Sequence, residues 1–247
     1  MKIGLFSDPH YYHETDPQTG APSLAQKKLI DVMEYFKAVG VEMCLCLGDL
    51  TDSENQDGSE PDPLGKAMKV IDSYDIPFLC VPGNHDYLHY DVATFLEKSH
   101  TPALPCLVET PTHTLILLDG NYRSDYRRYD VAGVDWTDAN IIPEHVAFLK
   151  DALAKATKPC VLFVHQNLDF NVGWKSCIIK NAAEVRELIE QSGKIQLVVQ
   201  GHFHPGCDNV IGGVRYYTVA GMYESESNRF CVLELDENGC RIEKIER

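Results

Sequence analysis

Basic residues are scarce in this 247-residue chain, which has 22 Lys and Arg against 37 Asp and Glu and a formal net charge of −15. That balance argues against a nucleic-acid partner, because phosphate backbones are bound by clustered Lys and Arg. It still permits a small anionic substrate held in a local pocket. No apolar run approaches the length of a membrane span. The apolar stretch after Met1 is broken at Asp8, so no signal peptide is expected. Internal repeats, low-complexity segments and linkers rich in Pro, Gly or Ser are also lacking, which predicts one domain over residues 1–247. The nine cysteines are odd in number and show no CxxC spacing. Cys44 and Cys46 alternate with leucines and Cys160 opens another apolar run. Buried thiols acting as small hydrophobes are therefore expected, in a reducing, cytoplasmic setting.

What is present is ample material for a core, with 44% hydrophobic residues. The N-terminal half repeats a rhythm of apolar strand, loop and amphipathic helix. Strands are predicted at 3–7, 41–47 and 77–81. Ser23 and Gln26 have the spacing of a capping box, and the helix they open stops at Gly40. A second helix is predicted at 64–74. This βαβαβ pattern calls for a parallel sheet covered on both faces. Further strands are predicted at 115–118, 161–164 and 195–199, and helices at 143–156 and 181–191. Segments 214–220, 230–235 and 241–245 read as antiparallel strands, the last two joined by a turn at 236–239. The fold class is α/β.

Five predicted strand ends run straight into metal-binding residue types: Asp8-Pro9-His10, Asp49, Asn84-His85-Asp86, His165 and His202-Phe203-His204. In an open α/β sheet, ligands bind at the carboxyl ends of the strands, so the fold itself gathers such residues at one edge. Imidazole nitrogens combined with carboxylate and amide oxygens suit zinc, iron or manganese. One carboxylate can bridge two ions about 3.5–4 Å apart, the arrangement of two-metal hydrolytic sites. His13, His89, His100, His113 and His145 lie outside these blocks and are left unassigned.

The blocks DPH at 8–10, GDLTD at 48–52, GNHD at 83–86, His165 and GHFH at 201–204 resemble, in order, those of the calcineurin-like metallophosphoesterases. The resemblance implies a four-layer α/β/β/α sandwich of the metallo-dependent phosphatase type, with mixed sheets and an antiparallel C-terminal part. It implies two transition-metal ions (Mn, Fe or Zn). Asp8, His10, Asp49 and His204 would hold one, and Asp49, Asn84, His165 and His202 the other. A hydroxide bridging the ions would attack phosphorus. His85 would act as the acid–base residue, oriented by Asp52, with Asp86 as a competitor for that orienting role. Two divalent ions bring formally about +4 against Asp8, Asp49 and the hydroxide, so an acidic protein can still present a cationic pocket.

The implied activity is metal-dependent hydrolysis of phosphoester or phosphoanhydride bonds. Serine/threonine phosphatases of this superfamily carry an arginine immediately after the GDxxD block, where this chain has Ser53. The similarity is closer to small-molecule branches, namely cyclic-nucleotide phosphodiesterases and manganese-dependent ADP-ribose or CDP-alcohol pyrophosphatases. The latter usually have Gln where this chain has His10. Phosphomonoester hydrolysis is an alternative, and a nuclease is disfavoured by the acidic surface. A non-catalytic metal-binding scaffold of the same fold is the alternative from another class, although such a protein would be expected to lack His85 or a ligand. The segment 121–129 interleaves arginines with tyrosines, and Tyr122 and Arg123 are its candidates for binding a small-molecule phosphate ester or nucleotide.

Overall fold

A computed structural model of the chain describes residues 1–16, 18–19, 21–52, 62–129 and 135–247. Along the chain lie β1 (Lys2–Phe6), α1 (Leu24–Ala38), β2 (Met43–Cys46), α2 (Pro63–Asp72), β3 (Phe78–Cys80), α3 (Asn84–His89) and α4 (Val92–Lys98). They are followed by β4 (Cys106–Glu109), β5 (Thr114–Leu117), α5 (Pro143–Lys155), β6 (Cys160–Phe163), α6 (Ala182–Ser192) and β7 (Ile195–Gln200). The chain then closes with β8 (Cys207–Ile211), β9 (Val214–Thr218), β10 (Arg229–Asp236) and β11 (Gly239–Glu246). Ser23 caps α1 as its spacing predicts, accepting a 3.0 Å hydrogen bond from the Gln26 N–H.

Two mixed sheets result, with strand orders β11-β10-β1-β2-β3 and β4-β5-β6-β7-β9-β8. The period-2 alternation of apolar residues explains how they stack. Ile3, Leu5, Met43 and Leu45 from the first sheet share one buried cluster with Leu115, Leu117, Val161, Phe163, Leu197 and Val199 from the second. The intervening residues, Phe6, Cys44, Cys46, Ile116 and Leu162, belong to another cluster with helix residues such as Leu29, Phe36, Leu149 and Val185. Each strand thus buries one face against the opposite sheet and the other under helices, giving an α/β/β/α sandwich. Nearly continuous apolar runs are the sequence trace of strands covered on both sides. All nine cysteines are unpaired, and Cys44, Cys46, Cys80, Cys160, Cys177 and Cys231 are buried. Among the described residues, no helix is long and apolar enough to cross a membrane.

Four elements are not anticipated by the sequence pattern. Helices α3 and α4 span six and seven residues, too short to show a helical period. Strands β4 and β8 are sheet edges with only partly buried or exposed residues, so the apolar alternation is weak. Strand β8 still left a trace. It joins β9 through Gly212-Gly213, both at positive φ (57° and 83°), as a tight hairpin requires. The expectation for 214–220 needs correcting: β9 runs antiparallel to β8 but parallel to β7. The residues between β7 and β9 include a whole extra strand, which restores the direction.

Candidate active site

The loops after β1, β2, β6 and β7 carry Asp8 and His10, Asp49, His165, and His202 and His204, and the first turn of α3, just after β3, carries Asn84 and His85. Parallel pairing sends β1, β2 and β3 out of one edge of the first sheet, and β6 and β7 out of one edge of the second. Backbone hydrogen bonds then lock the loops together. Asp8 N–H donates to Gly48 O (3.0 Å), His10 N–H to Asp49 O (3.1 Å) and Gly201 N–H to His165 O (2.9 Å).

This interlocking holds backbone in an unfavourable conformation. Asp8, His10, Asp49 and His202 have φ of 52°, 46°, 47° and 66°, the left-handed region. That region costs an L-residue about 1–2 kcal/mol, less for Asp, Asn and His with their local hydrogen bonding. Such outliers persist only where the surroundings over-determine them, and they gather at functional sites. Gly83 is needed for the same close fit, since a Cβ there would lie 2.1 Å from Asp49 Oδ1.

Each central carboxylate divides its two oxygens between support and site. Asp49 Oδ1 accepts from the His85 backbone N–H (2.8 Å), while Oδ2 stands 3.3 Å from His165 Nε2 and 3.9 Å from His10 Nε2. Asp8 Oδ2 accepts from Ser7 Oγ and from the His202 N–H (3.2 Å), while Oδ1 stands 3.4 Å from His204 Nε2. His165 Nδ1 sits 2.5 Å from Leu47 O, a contact that leaves Nε2 facing the carboxylates and His202 Nδ1, 3.2 Å away.

Candidate ligand atoms therefore converge in three sets: Asp8, His10 and His204; Asp49, His165 and His202; and His10, Asp52 and His85. Asp8 Oδ1, Asn84 Oδ1 and His202 Nε2 are buried with no hydrogen-bond partner among the described residues. Buried polar atoms without partners are rare in folded proteins, and a transition-metal ion is a partner that N and O donors of this kind fit. The local field differs from one site histidine to the next. Burial disfavours charge on His165 and on His204. The Asp49 charge overcomes it at His165, and the Asp8 carboxylate beside the ring does so at His204, raising each to about 9. Burial and the neighbouring His165 push His202 down to about 3. Burial would raise Asp8, yet its histidine partners hold it below the usual carboxylate range.

The two acidic candidates beside His85 are placed differently. Asp52 Oδ1 lies 3.4 Å from His85 Nδ1. The Asp86 carboxylate accepts instead from Gly83 N–H (2.9 Å), Leu50 N–H (3.3 Å) and the Thr51 N–H and hydroxyl (2.9 and 3.0 Å), bracing one loop against another.

Asp49, Asn84, His85, His202 and His204 line a cavity of about 240 Å³, together with Trp136, Trp174 and Cys177. Tyr122 and Arg123 are not brought to it. Tyr122 is buried, its ring against His145 and beneath the Arg128 guanidinium, and Arg123 pairs with Asp125 at the surface. Arg128 itself is paired with buried Asp119. The Arg/Tyr alternation therefore serves packing at Tyr122 and Arg128, and Ser53 lies outside the described residues. Glu224 Oε1, 3.2 Å from His204 Nδ1, and the two tryptophans carry no local pattern that marks them in the sequence.

Comparison with known proteins agrees with this geometry. The model of the calcineurin-like phosphoesterase family matches residues 1–206. The chain belongs to that family. Strands β8–β11 lie beyond the matched stretch. It is 26% identical over 214 residues to a Danio rerio "transmembrane protein with metallophosphoesterase domain", covering 83% of this chain and 40% of that one. It is 24% identical over 193 residues to a "probable cyclic nucleotide phosphodiesterase" of Psychrobacter arcticus, covering 74% and 63% respectively. The chain thus spans less than two thirds of the length of either relative. Its fold is that of a crystallised dimetal phosphatase from Danio rerio, with a TM-score of 0.83 at 17% identity over 100% of this chain and 98% of the other.

Proposed function

We propose that the protein hydrolyses a small-molecule phosphodiester or nucleotide pyrophosphate at a two-metal centre. The observation that carries this is Asp49, whose Oδ2 faces His165 of one ligand set and His10 of another. Asp8, His10, Asp49 and His204 would hold one ion, and Asp49, Asn84, His165 and His202 the second. Manganese, iron or zinc bound there would supply a nucleophilic water at neutral pH and neutralise charge on the phosphoryl group.

The chain's own residues do the rest. The His85 backbone N–H anchors Asp49 and keeps its outer oxygen turned to the site. The His85 ring, beside Asp52, gives a proton to the leaving oxygen. The interlocked loops hold every group in place before substrate arrives, so little reorganisation is needed. A diester preference is supported by relatives named probable cyclic nucleotide phosphodiesterases. We treat 1–247 as one catalytic domain, because β10 near the C-terminal end pairs with β1. Nine unpaired thiols favour a reducing, cytoplasmic setting.

A metal-reconstituted screen over phosphomonoesters, phosphodiesters, cyclic nucleotides and nucleoside diphosphate derivatives tests this proposal. Turnover should be highest on a diester or pyrophosphate. Exclusive activity on monoesters would overturn the substrate class, and inactivity on all four would favour a non-catalytic scaffold.

A further inference from the structure

The chain has two tryptophans, and both line the cavity that holds the candidate metal ligands. Trp136 stands 5.5 Å from the His202 ring at an interplanar angle of 73°, and Trp174 stands 5.3 Å from the Phe203 ring at 90°. Successive residues of one ligand-bearing loop thus position both indoles. The segment under Trp174 is itself braced. Lys175 Nζ donates to Phe170 O (2.5 Å) and Val172 O (3.1 Å), and Cys177 N–H donates to Trp174 O (3.1 Å). Trp174 is nonetheless 46% exposed, a large apolar ring on a braced backbone segment at the mouth of a polar site.

No lysine or arginine lines this cavity among the described residues. Binding of whatever is attached to the phosphate must therefore come from a source other than cationic side chains. Beside the ligand set the cavity wall offers indole surface and the Cys177 thiol, whose proton burial holds tightly, with a pKa pushed up to about 12. Glycerol offers no flat face to such a wall, and a sugar only its C–H groups. A planar base gains stacking, and every nucleobase has a π-face to offer. A rigid platform also avoids the cost of ordering side chains on binding.

We propose that Trp136 and Trp174 form an aromatic subsite that receives the base of a nucleotide while its phosphate meets the Asp49–His202 side of the cavity. This rests on the two-metal phosphoesterase function proposed above, and it selects nucleotides from the substrates that function admits.

The test uses the manganese-loaded protein and AMP, the product-side ligand of a diester or pyrophosphate hydrolase, compared with ribose 5-phosphate. Because both tryptophans are at the site, quenching of tryptophan emission reports occupancy there directly, and calorimetry gives both affinities. AMP should quench and bind at least tenfold tighter than ribose 5-phosphate, in line with the value of stacking one base. Trp174→Ala should erase most of that gap and leave ribose 5-phosphate binding within about twofold. Trp136→Phe, which keeps a ring, should retain more of the gap than Trp136→Ala. Equal affinities for the two ligands, or a gap that survives both alanine variants, would overturn the aromatic subsite while leaving the phosphate site standing. Binding of neither ligand would overturn the phosphoesterase site, and the subsite with it.

Discussion

Nδ1 of His85 lies 3.4 Å from Oδ1 of Asp52, in a contact where the side chains are only 12% and 4% exposed. A carboxylate beside one ring nitrogen fixes the orientation of an imidazole, so the other nitrogen is the one that would serve a leaving oxygen. His85→Ala should lower kcat by roughly 10²–10⁴-fold, as expected for a lost general acid, and Asp52→Asn by roughly 10–100-fold. Both variants should keep two metal ions by elemental analysis. Loss of metal in His85→Ala would make His85 a ligand.

Asp49→Ala should behave in the opposite order, losing metal first. Its outer oxygen is the atom shared between His10 and His165, so stoichiometry should fall below two ions per chain along with activity. The same linkage predicts that the wild type melts higher with metal present. Free ion at about 100 times its Kd stabilises the native state by about 2.7 kcal/mol. Differential scanning calorimetry with and without a chelator measures this, and coincident melts would contradict it.

Gly83→Ala should be far more damaging than a one-methyl change suggests. The new Cβ would overlap Asp49 Oδ1 and the Asp49 backbone nitrogen, 2.1 and 2.4 Å away. Overpacking of this kind costs about 1–3 kcal/mol, and here relief can come only by moving the shared ligand. Denaturant unfolding and metal titration should both shift. A variant with native metal affinity would mean that the loop can retreat without disturbing Asp49.

Within the arginine-rich segment, Arg128 should matter for stability and Arg123 for neither stability nor turnover. Arg128 pairs with the buried Asp119 carboxylate and lies over the Tyr122 and Tyr87 rings. Its loss leaves that carboxylate uncompensated, at a cost of roughly 2–4 kcal/mol, below the full penalty for a wholly buried pair because Arg128 is partly exposed. Arg123→Ala removes a surface pair worth at most about 1 kcal/mol. Urea unfolding of both variants, together with KM on the best substrate, distinguishes them. A raised KM in Arg123→Ala would return that residue to the substrate.

Much of the molecule was legible in its one-dimensional pattern. The strands under both sheets are apolar at nearly every position because they are covered on both faces, and the ligand types stand directly after them. Ser23, Gln26 and Gly40 mark the limits of α1 through local hydrogen bonding alone. Local rules of this kind need no knowledge of the partner strand. Pairing of Asp52 with His85 and the diversion of Asp86 to the loop backbone were decided by how the loops after β2 and β3 meet, and the contacts of Asp49 with His165 and of Asp8 with His204 form only after the sheets stack. Trp136, which precedes α5, and Trp174, which follows β6, likewise reach the cavity through contacts with the His202-Phe203 loop after β7. Strand ends are set by short-range chemistry, whereas which side chain faces which across the gap between two sheets depends on contacts more than a hundred residues apart.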